Sequence, residues 1–266
     1  MNTLMAGWHR HVPDWSKPIL RRMLAGCTDL LGNLGYELRR TTGDSGSRDA
    51  FHDQKMLLSN TPVQTIFDIG AHVGNITASY SSLFPKSTIY SFEPFPESFQ
   101  RLRRRFEGNS LVKPIQLAVS SKADKRKFYV NRDSGTNSLL PTVDDVGCWV
   151  DPNVAELIEN ITTIEVPVTT IDDFCKQESI DEIQILKMDI EGEELMALEG
   201  ASEKLSQGSI SLIYTEILFV PIHEGQALFH EIYNFLSGYG YRLFNMYNFF
   251  YAKSGQLEWG DAIFVK

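Results

Sequence analysis

The chain has 266 residues, 42% hydrophobic, 11% aromatic and 22% charged, so it can bury a sizeable core and is neither a disordered nor a fibrous sequence. Its 25 basic against 34 acidic residues leave a net charge of -9, which argues against a surface built to coat nucleic acid, and no nucleic-acid partner is expected. Cys27, Cys148 and Cys175 are too far apart for a disulfide framework or a zinc-binding pair, there is no export-signal pattern at the start, and no run of about 18 apolar residues occurs. A reducing, cytoplasmic location without a transmembrane segment is therefore expected.

No internal repeat of about 20 to 50 residues is visible, so a solenoid or propeller is excluded. Residues 1–48 read as a lead-in. Lys17 to Leu38 carry Ile19, Met23, Leu30, Leu31 and Leu34 at helical spacing, and Thr41 to Ser47 read as a loop. From Asp49 onward helical and apolar segments alternate: DAFHDQKMLLS, VQTIFDIG, NITASYSSLF, STIYSFE and PESFQRLRRRF. This is the rhythm of a βαβ fold with a parallel sheet. Further strands are expected at Val112 to Val119, Lys127 to Asn131, Ile183 to Asp189, Ile210 to Glu216, Tyr241 to Phe249 and Ala262 to Val265, with helices at Glu193 to Leu205 and Ala227 to Leu236. The last two strands form a hairpin, which gives the sheet an antiparallel edge. The Asp-rich stretch 135–163, with a short helix near Val154 to Glu159, has the length of a lid or substrate loop.

Ligands of open parallel sheets bind beyond the carboxyl ends of the strands. Those ends are acidic here. The first strand runs into FDIGAHVGN, whose Gly70 and Gly74 permit close backbone approach before a helix. The second ends in Glu93, 23 residues after Gly70, where a carboxylate can accept both ribose hydroxyls. The third ends around Ala118, Val119 and Ser120, the fourth carries Asp189, Glu191 and Glu194, and the fifth ends at Glu216. A dinucleotide enzyme needs glycine where His72 stands, and Asp68 would repel a diphosphate. S-adenosylmethionine has an amino group, a sulfonium and no phosphate, and suits such an acidic pocket.

FDIGAHVGNIT, SFEPFPESF, LAVSS, GTNSL, VPVTTIDDF, ILKMDIEGEE followed by LEGA, and IYTEI together resemble, in order and spacing, the FkbM-type methyltransferases. The resemblance covers residues 49–266. It implies an α/β, Rossmann-like methyltransferase fold: a mostly parallel seven-stranded sheet with an antiparallel edge hairpin and helices on both faces. It also implies S-adenosylmethionine as cofactor and methyl transfer to a hydroxyl, often of a sugar, glycan or secondary metabolite.

On this reading Asp68, Gly70, His72, Gly74 and Asn75 surround the methionine end of the cofactor, Glu93 takes the ribose with Pro94 fixing its turn, and Ala118, Val119 and Ser120 flank adenine. Methyl transfer is an in-line displacement and needs an aligned acceptor and a base, for which Asp189, Glu216 and His223 are the candidates and Glu191 a weaker one. Only Met188 separates Lys187 from Asp189, so the two share a face and an ion pair orienting Asp189 is expected. Glu191 and Glu194 otherwise read as acids favourable to a helix N-terminus. Asp189, Glu191 and Glu216 are oxygen donors that Mg²⁺ would accept, but no compact motif demands a metal and none is assigned. Asn137 and Ser138 are expected to close over the site with Gly135 as hinge. Arg101, Arg103, Arg104 and Arg105 read as a solvated helix face, and the aromatic residues from Tyr239 to Tyr251 mainly as strand core. The rivals are a catalytically silent nucleoside-binding module that docks a partner, and an NAD-type dehydrogenase, which His72 disfavours.

Overall fold

A computed structural model describes residues 49–266, and the expected helix at Lys17 to Leu38, with the rest of the lead-in, lies outside the described residues. Ten strands follow in chain order: β1 Thr65–Ile69, β2 Thr88–Phe92, β3 Val112–Ile115, β4 Ala118–Val119, β5 Asp124–Asn131, β6 Asn160–Thr169, β7 Ile183–Met188, β8 Ile210–Leu218, β9 Arg242–Tyr251 and β10 Leu257–Val265. Seven form one sheet in the order β3-β2-β1-β7-β8-β10-β9. β1, β2, β3, β7 and β8 are parallel, and β10 lies antiparallel between β8 and β9, the expected edge hairpin.

Side-chain alternation divides this sheet into two buried faces. Phe67, Ile69, Leu186, Met188, Ile213 and Phe264 point to one face, which is covered by helices Ile171–Glu178, Glu194–Glu199, Ser202–Gln207 and Phe229–Gly238. Ile66, Ile185, Leu212 and Ile263 point to the other, where Ala50 and Tyr80 come from helices Ala50–Leu57 and Asn75–Leu83. β7 is buried at every position, as a strand between two helical layers must be. Chain order reverses between β1 and β7, which opens a crevice at their carboxyl ends.

Three expectations are corrected. The run Val112 to Val119 is not one strand: after β3 the chain leaves the main sheet, and β4 pairs in parallel with β6 in a second sheet of order β4-β6-β5. Residues 160–163 belong to β6 instead of the expected loop; this end of the strand pairs only with β5 and is otherwise exposed. The helix expected at Glu193 to Leu205 is two helices broken at Gly200. A Cβ at Gly200 would lie 2.3 Å from the Ser120 carbonyl oxygen, so the chain passes close against the end of β4 there. The second helix is capped from outside itself, because the Asp172 carboxylate accepts from the N–H groups of Glu203 at 2.8 Å and Lys204 at 3.1 Å. Asp172 belongs to helix Ile171–Glu178, itself capped by Thr170, whose hydroxyl accepts from Asp173 N–H at 2.9 Å. Such caps are each worth about 1 kcal/mol. Among the described residues no helix is long and apolar enough to cross a membrane.

Candidate active site

The crevice is organised by a buried cation. Asp68 and Lys187 are direct partners in the β1–β7 register, on the face covered by helix Asn75–Leu83. The Lys187 Nζ lies 3.2 Å from Asp68 Oδ1 and 3.7 Å from Asp189 Oδ2, and donates to the carbonyl oxygens of Ile69 at 3.3 Å and Gly70 at 3.1 Å. Burial alone would lower the lysine pKa, but Asp68 and Asp189 together carry it above its ordinary value. Thr77 donates to the second oxygen of Asp68 at 2.6 Å. Asp68 is therefore fully enclosed and does not line the cleft, which corrects its expected contact with the cofactor.

Gly70 turns the chain at φ +76°, and a Cβ there would fall 1.9 Å from the Asp189 carbonyl oxygen, so only glycine fits. The next turn places His72 at φ +48°, with its N–H donating to Glu93 Oε2 at 2.8 Å. Phe95 N–H donates to the other Glu93 oxygen at 2.8 Å. Glu93 thus braces the loops after β1 and β2, and burial pushes its carboxyl up to about 7 against these two hydrogen bonds. The His72 ring, whose pKa is lowered by burial, has Nε2 2.9 Å from Ser134 Oγ.

Gly74 and Asn75 do not reach the cleft. A Cβ on Gly74 would strike Phe106 and Leu102 at 2.6 and 2.7 Å, so that glycine serves helix packing, while Asn75 is exposed and accepts from Arg105 at 2.6 Å. Arg105 is in this way tied into the fold, a detail not legible in the charge run.

The cleft encloses about 530 Å³ out to its open mouth. Phe92, Leu117, Val119 and Phe128 contribute an apolar wall, and Gly70, His72, Pro94, Ala118 and Asn137 also face it. Its ionisable lining is His72, Glu93, Asp189, Glu191 and Glu193, with no lysine or arginine among the described residues. Ser120 lies behind this surface, donating to Glu193 at 2.6 Å and accepting from Arg126 at 2.9 Å, and Arg126 also pairs with Glu193. The expected place of Ser120 beside adenine is therefore corrected to a support for Glu193, a residue that the KMDIEGEE string offered but that sequence reasoning passed over. Leu117, Phe128 and Ser134 were also missed; nothing in their local spacing marks them.

The stretch 135–163 is anchored at both flanks of the site. Ser138 exchanges backbone hydrogen bonds with Tyr129 and donates from its hydroxyl to the Glu191 carbonyl at 2.7 Å. Pro141 and Val143 bond to Glu224 and Ile222. Asn137 Oδ1 accepts from Asn131 N–H at 2.8 Å, which leaves its buried Nδ2 without a protein partner at the cleft.

At the floor, Asp189 is 46% exposed just past β7, and one of its carboxylate oxygens lies within 4.8 Å of one oxygen of Glu191 and one of Glu216; Glu216 sits within β8 and does not itself line the cleft, which corrects its expected contact with the acceptor. Burial, then the charges of Glu191 and Asp189, hold Glu216 well above the usual carboxylate range. His223 is enclosed behind Glu191, its Nε2 3.6 Å from Glu191 Oε2, and does not line the cleft. Its expected role as a base in contact with the acceptor is corrected for that reason. Glu191 takes the nearer position, partly exposed to the cleft, with its pKa raised by desolvation. Glu194 is buried too, pushed up to about 8, and accepts from Ile190 N–H at 2.8 Å.

A doubly wound sheet whose switch-point crevice pairs an apolar slot with an acidic floor defines a nucleoside-cofactor enzyme. The comparisons make it specific. The family described as "Methyltransferase FkbM domain" matches residues 68–243, and the chain belongs to this family. It is an S-adenosylmethionine-dependent methyltransferase with a Rossmann-like fold. The 2-O-methyltransferase NoeI of Sinorhizobium fredii is 24% identical over 192 residues, 71% of this chain and 77% of that protein. The 31-O-demethyl-FK506 methyltransferase FkbM of Streptomyces tacrolimicus is 26% identical over 196 residues, 68% of this chain and 73% of that protein. The hexuronic acid methyltransferase AglP of Haloferax volcanii is 22% identical over 153 residues, and the chain spans only 55% of its length.

The cleft fits this cofactor by its donor set. A lining of carboxylates without a lysine or arginine among the described residues suits a sulfonium and an ammonium and disfavours a pyrophosphate.

Lys187→Met is expected to leave Asp68 as an uncompensated buried charge and to lower stability by about 3–5 kcal/mol in urea unfolding. Adding Asp68→Asn should recover part of that loss. Simple additivity of the two costs would contradict the pairing.

Proposed function

We propose that the protein transfers a methyl group to a hydroxyl of a sugar, glycan or secondary metabolite. The observation that carries this reading is the join of an acidic cleft with the exposed Asp189 carboxylate at its floor, beside Glu191 and close to Glu216. The relatives support the hydroxyl: NoeI is a 2-O-methyltransferase and FkbM acts on 31-O-demethyl-FK506. AglP, a hexuronic acid methyltransferase, supports the sugar class. Free thiols at exposed Cys148 and buried Cys175 support a reducing compartment, the cytoplasm.

When bound, S-adenosylmethionine supplies a methyl group on a positively charged sulfur. Glu93, oriented by two backbone N–H groups, would accept the ribose hydroxyls with its remaining lone pairs, and Pro94 shapes the turn beside it. Ala118 and Val119, with Phe92 and Phe128, would pack the adenine, and Gly70 and His72 would line the methionine end, with Asn137 facing the same cleft. In-line displacement requires the acceptor oxygen to be aligned and relieved of its proton as the oxygen–methyl bond forms and the sulfur–methyl bond breaks, leaving the thioether. Asp189, held by Lys187 and open to the cleft, would align the hydroxyl and take that proton. The Ser138 side chain secures the Glu191 turn that closes this end of the site.

Incubation with S-[methyl-¹⁴C]adenosylmethionine and a panel of glycosides tests the reading. Label should appear in an alkali-stable ether, and Asp189→Asn should bind S-adenosylhomocysteine normally while losing most of this turnover. Label on nitrogen or carbon, or full turnover by Asp189→Asn, would overturn it.

The Glu93 assignment predicts a pH dependence. Only the ionised carboxylate accepts both hydroxyls, and its pKa is raised to about 7, so affinity for S-adenosylhomocysteine should fall by up to about tenfold per pH unit below that value. Glu93→Gln should bind more weakly and lose this dependence in calorimetric titrations. An unchanged affinity in the variant would remove the ribose assignment.

A further inference from the structure

We infer that the floor of the cleft holds a divalent metal ion, bound by Asp189, Glu191 and Glu216. This rests on the methyl-transfer reading and adds a group to the same site.

The three carboxylates come from separate pieces of chain brought together by strand register. Met188 pairs with Thr215 in the parallel β7–β8 ladder, so the residues that follow are neighbours: Asp189 just past the end of β7, and Glu216 within β8, which runs on to Leu218. Glu191 enters from the turn after β7, and one oxygen from each residue lies within 4.8 Å of the other two. At this spacing a single cation could touch one oxygen from each of the three residues. Among the described residues, the lysine or arginine paired with any of them is Lys187, 3.7 Å from Asp189 and closer, at 3.2 Å, to Asp68. One oxygen of Glu216 is buried without a hydrogen-bond partner.

His223 provides an independent sign. It is 2% exposed, neither ring nitrogen has a hydrogen-bond partner, and Nε2 points toward Glu191 Oε2 at 3.6 Å. A buried imidazole aimed at a carboxylate from behind is the arrangement that orients a metal-binding carboxylate toward its ion. His223 is thus a positioning residue.

An all-oxygen donor set selects Mg²⁺ or Mn²⁺, with water completing the coordination. The ion would also draw an acceptor hydroxyl toward Asp189 and acidify it, so that the proton leaves to the Asp189 oxygen not engaged by the metal.

The test is titration of the chelator-treated full-length protein with Mn²⁺, followed by the electron paramagnetic resonance signal of free Mn²⁺, beside a calorimetric titration with S-adenosylhomocysteine. The expected result is one saturable Mn²⁺ site in the wild type. Glu216→Gln and, separately, Glu191→Gln should weaken it by more than about tenfold, and Glu216→Gln, at a residue that does not line the cleft, should leave S-adenosylhomocysteine affinity within about twofold of wild type. Detectable nucleoside binding also certifies that each variant is folded. Protein that binds S-adenosylhomocysteine but no Mn²⁺, or Mn²⁺ binding indifferent to both substitutions, would overturn the metal site and leave the methyl-transfer reading standing. Failure to bind S-adenosylhomocysteine would overturn that reading instead.

Discussion

The contact between Lys187 and Asp68 is the constraint on which the site depends. It joins the two strands at which chain order reverses, and the same ammonium group holds the carbonyls of Ile69 and Gly70 that begin the cofactor loop. A buried ion pair is weak evidence for stability, because desolvation offsets much of the attraction. Its value here is positional. Removing either partner strands a charge at the base of the cleft, and moving the ammonium would release the turn whose glycine sits against the Asp189 carbonyl.

From that arrangement follows the electrostatic character of the cleft. The nearest buried lysine is shared between Asp68 and Asp189, and Arg126 is paired with Glu193, so Glu93 and Glu191 are the cleft carboxylates that face the ligand without a lysine or arginine partner among the described residues. Glu93 is pinned by the N–H groups of His72 and Phe95, which gives it one orientation and little freedom to retreat. His72, standing where a dinucleotide loop would need a second glycine, presents its N–H to that carboxylate instead of to a phosphate. The loop after β1 is thereby tied to the carboxylate that follows β2 by the protein's own hydrogen bonding.

The parts legible in the sequence were those governed by local rules. Alternating apolar runs gave the parallel strands and their helices, Gly70 and Glu93 stood at informative spacing, and Lys187 shared a face with Asp189. The parts that were not legible depend on contacts distant in the chain. Asp68 is the closer partner of Lys187, and only the β1–β7 register brings them together. β4 leaves the main sheet because it finds β6, whose first residues are too exposed to carry an apolar signal. His223 looked like a free loop base, yet the pairing of Pro141 and Val143 with the residues beside it buries its ring. Gly74 had the position of a cofactor glycine, but its missing side chain makes room for Phe106 and Leu102.

The central claim is that this cleft selects a sulfonium nucleoside over a dinucleotide by charge and by a single braced carboxylate. The most direct measurement is parallel calorimetric titration of the wild-type protein with S-adenosylhomocysteine and with NAD under one set of conditions. The account predicts saturable one-to-one binding of S-adenosylhomocysteine and no detectable heat from NAD. Comparable or tighter binding of NAD would contradict it.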